Sequence, residues 1–214
     1  MLLKSDLFGT VVRVEPADRS GYRLVRRDTR TGRWGVRWLA RSLARREARA
    51  LRALEGIAGV PELLSLKKGV LLRRWIEGQP MHRAQPRDPE YFRLALLLLR
   101  RLHRASVAHN DLAKEPNWLV TPAGNPALVD FQLALISRRR SRLFRMLARD
   151  DIRHLLKHKR TYCPQRLTER ERRILATPSP VSRLWMASGK RLYLFVTRRI
   201  LHWADREGAG DRNL

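Results

Sequence analysis

The chain has a single cysteine, Cys163, among 214 residues. No disulfide can close within it, which excludes a disulfide-stapled secreted scaffold and fits a reducing compartment. Long apolar runs are missing too. The longest, LALLLL at 94–99, is far short of the ~20 residues that span a bilayer. The opening MLLKSDLFGT lacks the apolar core of a secretory signal. The protein is therefore expected in the cytoplasm, with room for peripheral contact at the inner face of a membrane. Acids are scarce: 20 Asp and Glu face 46 Lys and Arg, a net charge of +26. Such a field draws anionic partners, whether nucleic acid, an acidic membrane surface or a phosphorylated substrate. Most of the excess is arginine, whose planar fork suits phosphate.

What is present suits one domain of two small lobes. Hydrophobic residues make up 43% of the chain, enough for a core, and no repeat or low-complexity linker divides it. GTVVRV (9–14) and GYRLVRR (21–27) read as short strands around the polar turn EPADRS. A helix is predicted over roughly 37–54, ended by GIAGVP (56–61). GVLLRRWIEG (69–78) reads as a strand leaving through a glycine turn. QPRDPEYFRLALLLLRRLHR (85–104) is a helix that Asp88 can cap, with Pro89 at its first position. PALVDFQLA (126–134) and the stretch before TPAGN form a hairpin signal, and the remainder is mainly helical and basic.

In the first helix Leu43, Leu51 and Leu54 share a face with Glu47. A carboxylate there either reaches water at the edge of the stripe or takes a cation, because an unpaired buried charge is costly. Arg26 and Arg27 on YRLVRR are the nearest candidates. Alternation turns only one inward, and Arg26 is preferred, with Leu24 as its inward neighbour; Lys67 or Lys68 are substitutes.

HNDLAKEPNWLV (109–120) places His109, Asp111, Lys114 and Asn117 just ahead of an apolar segment. Asp130 ends PALVD. Asn117 and Asp130 offer the hard oxygen ligands that Mg²⁺ takes, usually with phosphate oxygens completing the shell. Asp111 could orient or deprotonate a hydroxyl, and Lys114 could neutralise a transferring phosphate. Metal ligands, a base and cations are the parts of phosphoryl transfer.

This stretch resembles the catalytic loop of protein-kinase-like phosphotransferases, H-x-D-L-K-x-x-N. DFQ (130–132) resembles their D-F-G, REARALRAL the helix whose Glu pairs with a strand Lys, and LLRRWIEGQPM the hinge segment. The resemblance covers about residues 5–135 and is nearest to small bacterial RIO-like and lipopolysaccharide-core kinases. It implies an α+β, two-lobed protein-kinase-like fold over 1–214, with a β-rich N-lobe (about 1–76) and a minimal helical C-lobe (about 77–214). It implies ATP and Mg²⁺ as cofactors. By resemblance Asp111 is the catalytic base, Lys114 touches the γ-phosphate, and Asn117 and Asp130 hold the metal. Arg26 or Arg27, Glu47 and Glu77 complete the nucleotide site. His109 supports the loop rather than doing acid–base chemistry, and Asp150 and Asp151 could brace it from below.

Three departures stand out. The loop has one extra residue between Asp111 and Asn117, which a bulge after Leu112 could absorb. The strand cation is arginine, not lysine. DLFGTVVRV has only Gly9 where the family has several glycines, and Gln132 replaces the glycine of D-F-G. The expected activity is an ATP-dependent kinase acting on a protein Ser/Thr hydroxyl, with a lipid-linked core sugar of lipopolysaccharide as the alternative acceptor. A pseudokinase scaffold and an RNA-binding module are the non-enzyme alternatives. The basic stretch 137–175 suits an anionic surface. His154 and His158 have metal-ligand spacing but no third ligand. The amphipathic segment 191–207 is read as a final packing helix or, more sharply, as an interfacial one with basic flanks.

Overall fold

A computed structural model describes residues 1–15 and 23–177, the Lys4 side chain excepted. The amphipathic segment 191–207 and the turn 16–20 lie outside these residues. The chain divides into two compact units, 1–167 and 168–214.

The first unit begins with strands β1 (Leu2–Asp6), β2 (Gly9–Val14) and β3 (Leu24–Asp28). Helix α1 (Arg37–Ala53) follows, then β4 (Leu63–Lys67) and β5 (Val70–Arg74). The five strands form one antiparallel sheet in the order β1-β2-β3-β5-β4. β1 and β4 carry no strong alternation in the sequence and were not anticipated there. Pairing with β2 and with β5 respectively brings them into the sheet, as tertiary context commonly does for weak strands.

α1 buries Ala40, Ala44, Ala48 and Leu51, a small-residue stripe at helical spacing that lets the helix lie close to the sheet. Its outward face carries the exposed Arg41, Arg45, Arg49 and Arg52.

The remainder of the first unit is mainly helical. The very short strand β6 (Gln79–Pro80) leads into α2 (Met81–Ala84) and α3 (Pro89–Arg104). Asp88 caps α3 by accepting from the Glu90 amide at 2.8 Å, with proline in the first turn, as its sequence foretold. Strand β7 (Val107–Ala108) precedes the polar loop. β8 (Trp118–Val120) and β9 (Pro126–Leu128) form the expected hairpin around Thr121–Asn125. β10 (Leu135–Ile136) pairs with β7, and α4 (Arg142–Tyr162) ends the unit. The core holds Leu51 of α1 and Leu54 at its C-cap, Phe92, Leu99 and Leu102 of α3, Trp118, Phe131 and Leu155. Fully burying one such side chain stabilises the fold by about 1.5–3 kcal/mol.

Two glycines are fixed by close approach. A Cβ on Gly59, in the α1–β4 connection, would lie 2.8 Å from the Pro126 carbonyl oxygen, and its φ is +86°. The Gly59 carbonyl also accepts from the Leu128 amide at 2.8 Å. A Cβ on Gly78, just before β6, would lie 2.9 Å from the Val120 carbonyl oxygen. The segments entering and leaving β4–β5 therefore both press on the β8–β9 hairpin.

Of the second unit, residues 168–177 are described. They form helix α5 (Glu169–Ala176), opened by a capping box between Thr168 and Glu171, which satisfies two otherwise orphan amides. No helix among the described residues is long and apolar enough to cross a membrane.

Candidate active site

Glu47 is 1% exposed on the inner face of α1. Two guanidinium groups meet it: Arg27 Nε at 3.5 Å and Arg73 Nε at 3.3 Å. The alternation of β3 explains why Arg27 and not Arg26 faces inward. Val25 and Arg27 share the buried side, while Arg26 turns to Asp28 at 2.9 Å. The preference for Arg26 and Leu24 as inward residues is thus corrected by one position of strand register. Lys67 and Lys68 are exposed and do not substitute. Arg73 was missed; it follows the fully buried Leu71 by two positions on β5, and that period-two signal could have revealed it. Burial pulls the Arg73 guanidinium below its ordinary value, and neighbouring Arg27 adds to this, against the opposing pull of Glu47 and Asp130.

Arg27 also reaches Asp130 Oδ1, at 3.8 Å. Asp130 closes β9 in the left-handed region, φ 66° and ψ 66°, a conformation Asp tolerates better than most residues. The turn after it, Phe131–Leu133, packs on α1. Gln132, in the place of glycine, donates through Nε2 to Asp130 Oδ1. Burial pushes the Asp130 carboxyl up, but Arg27, the Gln132 amide, His109 and Arg73 together outweigh it and hold the group below its usual value. Its side chain remains 35% exposed.

The polar loop is assembled against this turn. Asn117 donates through Nδ2 to the Asp111 carbonyl at 2.8 Å and to Asp111 Oδ2 at 3.1 Å. Its own carbonyl accepts from Val129 N at 3.0 Å, placing Asn117 beside the residue that precedes Asp130. Lys114 Nζ lies 3.2 Å from Asp111 Oδ2 and is 58% exposed. Both contacts use the same carboxylate oxygen, leaving Oδ1 open to a hydroxyl. Likewise Asn117 spends only its amide nitrogen, leaving its oxygen as a donor to a cation. The extra residue is taken up at Leu112–Ala113, where the chain turns before the 3₁₀ turn Glu115–Asn117.

The loop is held from below by one face of α4. Asp151, 1% exposed, accepts from the His109 amide at 2.9 Å, the Asn110 amide at 2.9 Å and His103 Nε2 at 3.1 Å. His158 Nε2 donates to the Leu112 carbonyl at 2.8 Å, and Tyr162 OH to Glu115 Oε2 at 2.6 Å. Asp151, Leu155, His158 and Tyr162 recur at helical spacing; DDIRHLLKHKRTY carried that signal, but only Asp150 and Asp151 were read as braces, and His158 was weighed with His154 as a metal ligand instead. Asp150 does not join it and pairs with His154 at 3.4 Å. Burial lowers the His158 imidazole below its usual value, against the raising effect of the Leu112 carbonyl and Glu115. His109 is buried, places Nε2 3.0 Å from the Val129 carbonyl and packs 4.5 Å from the Phe131 ring, tying the loop to the Asp130 turn.

Asp111, Lys114, Asn117, Asp130, Arg27, Arg73 and Glu47 thus form one connected group. Glu77 stands apart. It pairs with Arg23, and the neighbouring Trp75 indole and Arg23 hold its carboxyl below the usual range. Gly9, with φ +126°, is fixed by the Asp28 carbonyl, 2.1 Å from where a Cβ would stand. It opens β2 just after the tight Leu7–Phe8 turn, paired with Asp6, rather than belonging to a long glycine-rich flap.

A family model for the RIO domain matches residues 16–172. The chain belongs to the RIO domain family. Among solved structures it is similar to the Rio2 kinase of Chaetomium thermophilum, with a TM-score of 0.60 at 20% identity, covering 82% of this chain and 58% of that one. It is also similar to the ADP/Mg²⁺-phosphoaspartate complex of that kinase, with a TM-score of 0.55 at 19% identity over 90% of this chain and 67% of that one. At such identities the likeness concerns the fold, a two-lobed kinase-like α+β architecture. The chain spans 58% of the length of the first of these structures. No curated protein matches it.

Proposed function

We propose that this RIO domain is an ATP-dependent phosphotransferase that moves the γ-phosphate to a hydroxyl, with a protein serine or threonine as acceptor. The observation that carries this reading is the double contact of Asn117 Nδ2 with Asp111, made beside Val129 and so next to Asp130 in the chain, which leaves Asp111 Oδ1 and the Asn117 side-chain oxygen open. Asp111 Oδ1 is open to accept or orient a hydroxyl proton. The Asn117 oxygen and the Asp130 carboxylate, kept ionised by Arg27, fit a hard divalent cation. No group of three or more His, Cys, Asp or Glu suited to a metal occurs among the described residues. A two-donor site of this kind suits Mg²⁺ arriving with a nucleotide, whose phosphate oxygens complete its shell. When bound, Mg²⁺·ATP supplies the phosphoryl group and the neutralising charge.

The chain's own residues do the rest. Lys114, exposed and 3.2 Å from Asp111, can swing to a phosphate without leaving the loop. Arg27, held between Glu47 and Asp130, takes the place of a strand lysine and presents its fork to phosphate oxygens. Arg73 leaves Glu47 balanced when Arg27 turns to a ligand. α4 fixes the loop, so the base and its acceptor meet in one geometry. Residues 1–76 and 77–214 form the two lobes in this reading. Glu77, on the hinge between them, is assigned to the nucleotide side only through its segment.

The test uses γ-labelled ATP and Mg²⁺ with the full chain and a cell extract later separated into protein and glycolipid, with Asp111→Asn as control. Label in protein with the wild type alone supports the reading. Label in glycolipid alone moves the acceptor to a lipid-linked sugar. A folded protein that labels neither refutes catalysis and leaves a scaffold or a nucleic-acid-binding module.

A further inference from the structure

The outer face of α1 has no part in the proposed reaction. Trp38, Arg41, Arg45, Arg49 and Arg52 follow one another at intervals of three and four, which sets them in one stripe along the helix. All five are exposed, and the stripe runs for about 21 Å. Arg46 is exposed beside it. The helix holds a single carboxylate, Glu47, which is buried on the inner face. No arginine of the stripe pairs with an acid among the described residues; Arg49 Nε donates to the Arg45 carbonyl, at 3.4 Å. Like charges three or four positions apart destabilise a helix, so this face carries a standing repulsion that an anionic partner would relieve.

Two indoles stand at the N-terminal end of the stripe. Trp34, in the 3₁₀ turn Trp34–Val36 that leads into α1, is 89% exposed, and Trp38 is 70% exposed. Neither indole has a hydrogen-bond or ring partner among the described residues. Arg33 and Arg41, both exposed, flank them in the chain. An indole joins a large apolar body to one polar N–H, and it settles best where water meets lipid.

We propose that this face docks on an anionic phospholipid surface, with the arginines on lipid phosphates and Trp34 and Trp38 seated among the headgroups. Stable attachment to a bilayer takes two signals, an apolar anchor and a basic patch, and α1 with its leading turn carries both. Each basic group held near such a surface contributes about fivefold to partitioning. The cations line the crest of a straight helix, which a flat partner meets along its whole length. A single-stranded nucleic acid is instead held in a basic groove with aromatic rings spaced among the cations; here the indoles are gathered at one end. The inference rests on the outer face of α1 alone, so it stands or falls apart from the proposed phosphoryl transfer.

Flotation of the full chain with mixed phosphatidylcholine–phosphatidylglycerol vesicles tests the surface, with pure phosphatidylcholine vesicles as the neutral counterpart. Binding is expected to the anionic vesicles. Arg41→Gln/Arg45→Gln/Arg49→Gln/Arg52→Gln is expected to weaken it about a hundredfold or more. Arg138→Gln/Arg139→Gln/Arg142→Gln/Arg145→Gln removes the same charge from exposed positions around the start of α4 and is expected to weaken it less than about tenfold. Arg41→Lys/Arg45→Lys/Arg49→Lys/Arg52→Lys keeps the charge at the same exposed positions and should keep the binding. Brominated phosphatidylcholine in the anionic vesicles reads the indoles: it should quench the fluorescence of the bound chain, and Trp34→Phe/Trp38→Phe should remove most of that quenching. Equal loss in the two glutamine sets would show a field effect only. Loss in the lysine set would show that charge on this face is not what binds. Quenching that survives Trp34→Phe/Trp38→Phe would place the contact elsewhere in the chain. Binding of a single-stranded oligonucleotide through the α1 arginines, by a chain that floats with no vesicle, would assign the face to nucleic acid. Each of these last four outcomes overturns the proposal.

Discussion

Replacing Asp151 by alanine removes the carboxylate that holds the polar loop, and the consequence can be worked out group by group. Two backbone amides, those of His109 and Asn110, lose acceptors at 2.9 Å. Both belong to a loop packed on α4, and Asp151 itself is 1% exposed, so water does not readily take its place. Each buried donor left unpaired costs about 1–3 kcal/mol, and His103 loses its partner as well. The expected destabilisation is about 3–5 kcal/mol, the range for breaking one side of a buried charged network. For a domain of this size that corresponds to a fall in Tm of roughly 10 °C. Asp151→Asn keeps one acceptor oxygen and should cost about half as much. Urea unfolding followed by the fluorescence of the buried Trp118 measures both. An Asp151→Ala midpoint equal to that of the unsubstituted chain would refute the claim that the loop is held by this carboxylate.

Other outcomes follow from the same contacts. Asp111→Asn is expected to lower phosphoryl transfer by about 10²–10⁴-fold without moving the unfolding midpoint, as read by label incorporation beside a melting curve. Glu47→Gln strands two buried arginines and should destabilise by about 3 kcal/mol, whereas Glu47→Leu with Arg73→Leu should cost less than the sum of the single changes, a coupling that a double-mutant cycle reads directly. His158 binds fewer protons folded than unfolded, because burial lowers its folded value below 6.5; stability therefore rises with pH through that region and is lost as pH falls below about 6.5. His158→Gln should flatten this slope in a pH series of urea midpoints. Gly59→Ala places a Cβ against the Pro126 carbonyl at a positive φ and should destabilise by about 1–3 kcal/mol, as seen in the same assay.

The fold was legible where periodicity was strong. α1, α3 and β2 fall where their patterns place them, and Asp88 caps α3 as its sequence requires. β1 and β4 were silent because their residues do not alternate; they are strands by virtue of their neighbours. The candidate residues Asp111, Asn117 and Asp130 were picked out by spacing and by resemblance, and the structure adds that Asn117 bonds Asp111 and lies beside Val129. The cation pairing with Glu47 was not readable, since one position of register separates Arg26 from Arg27. Arg73 comes from a distant strand that only the sheet order β3-β5 brings alongside. The α4 face was hidden for a different reason. Its Asp, His and Tyr look like solvated polar residues until the loop lies on them.

The two backbone grips on the β8–β9 hairpin have a mechanical consequence. Gly59 bears on one strand of the hairpin and Gly78 on the other, and the Phe131–Leu133 turn against α1 adds a third bearing. Two bearings would let the sheet of β1–β5 rock about the line through them; the third removes that freedom. Glu47 and Arg27 are thereby braced beside the Asp130 turn by backbone packing as well as by charge.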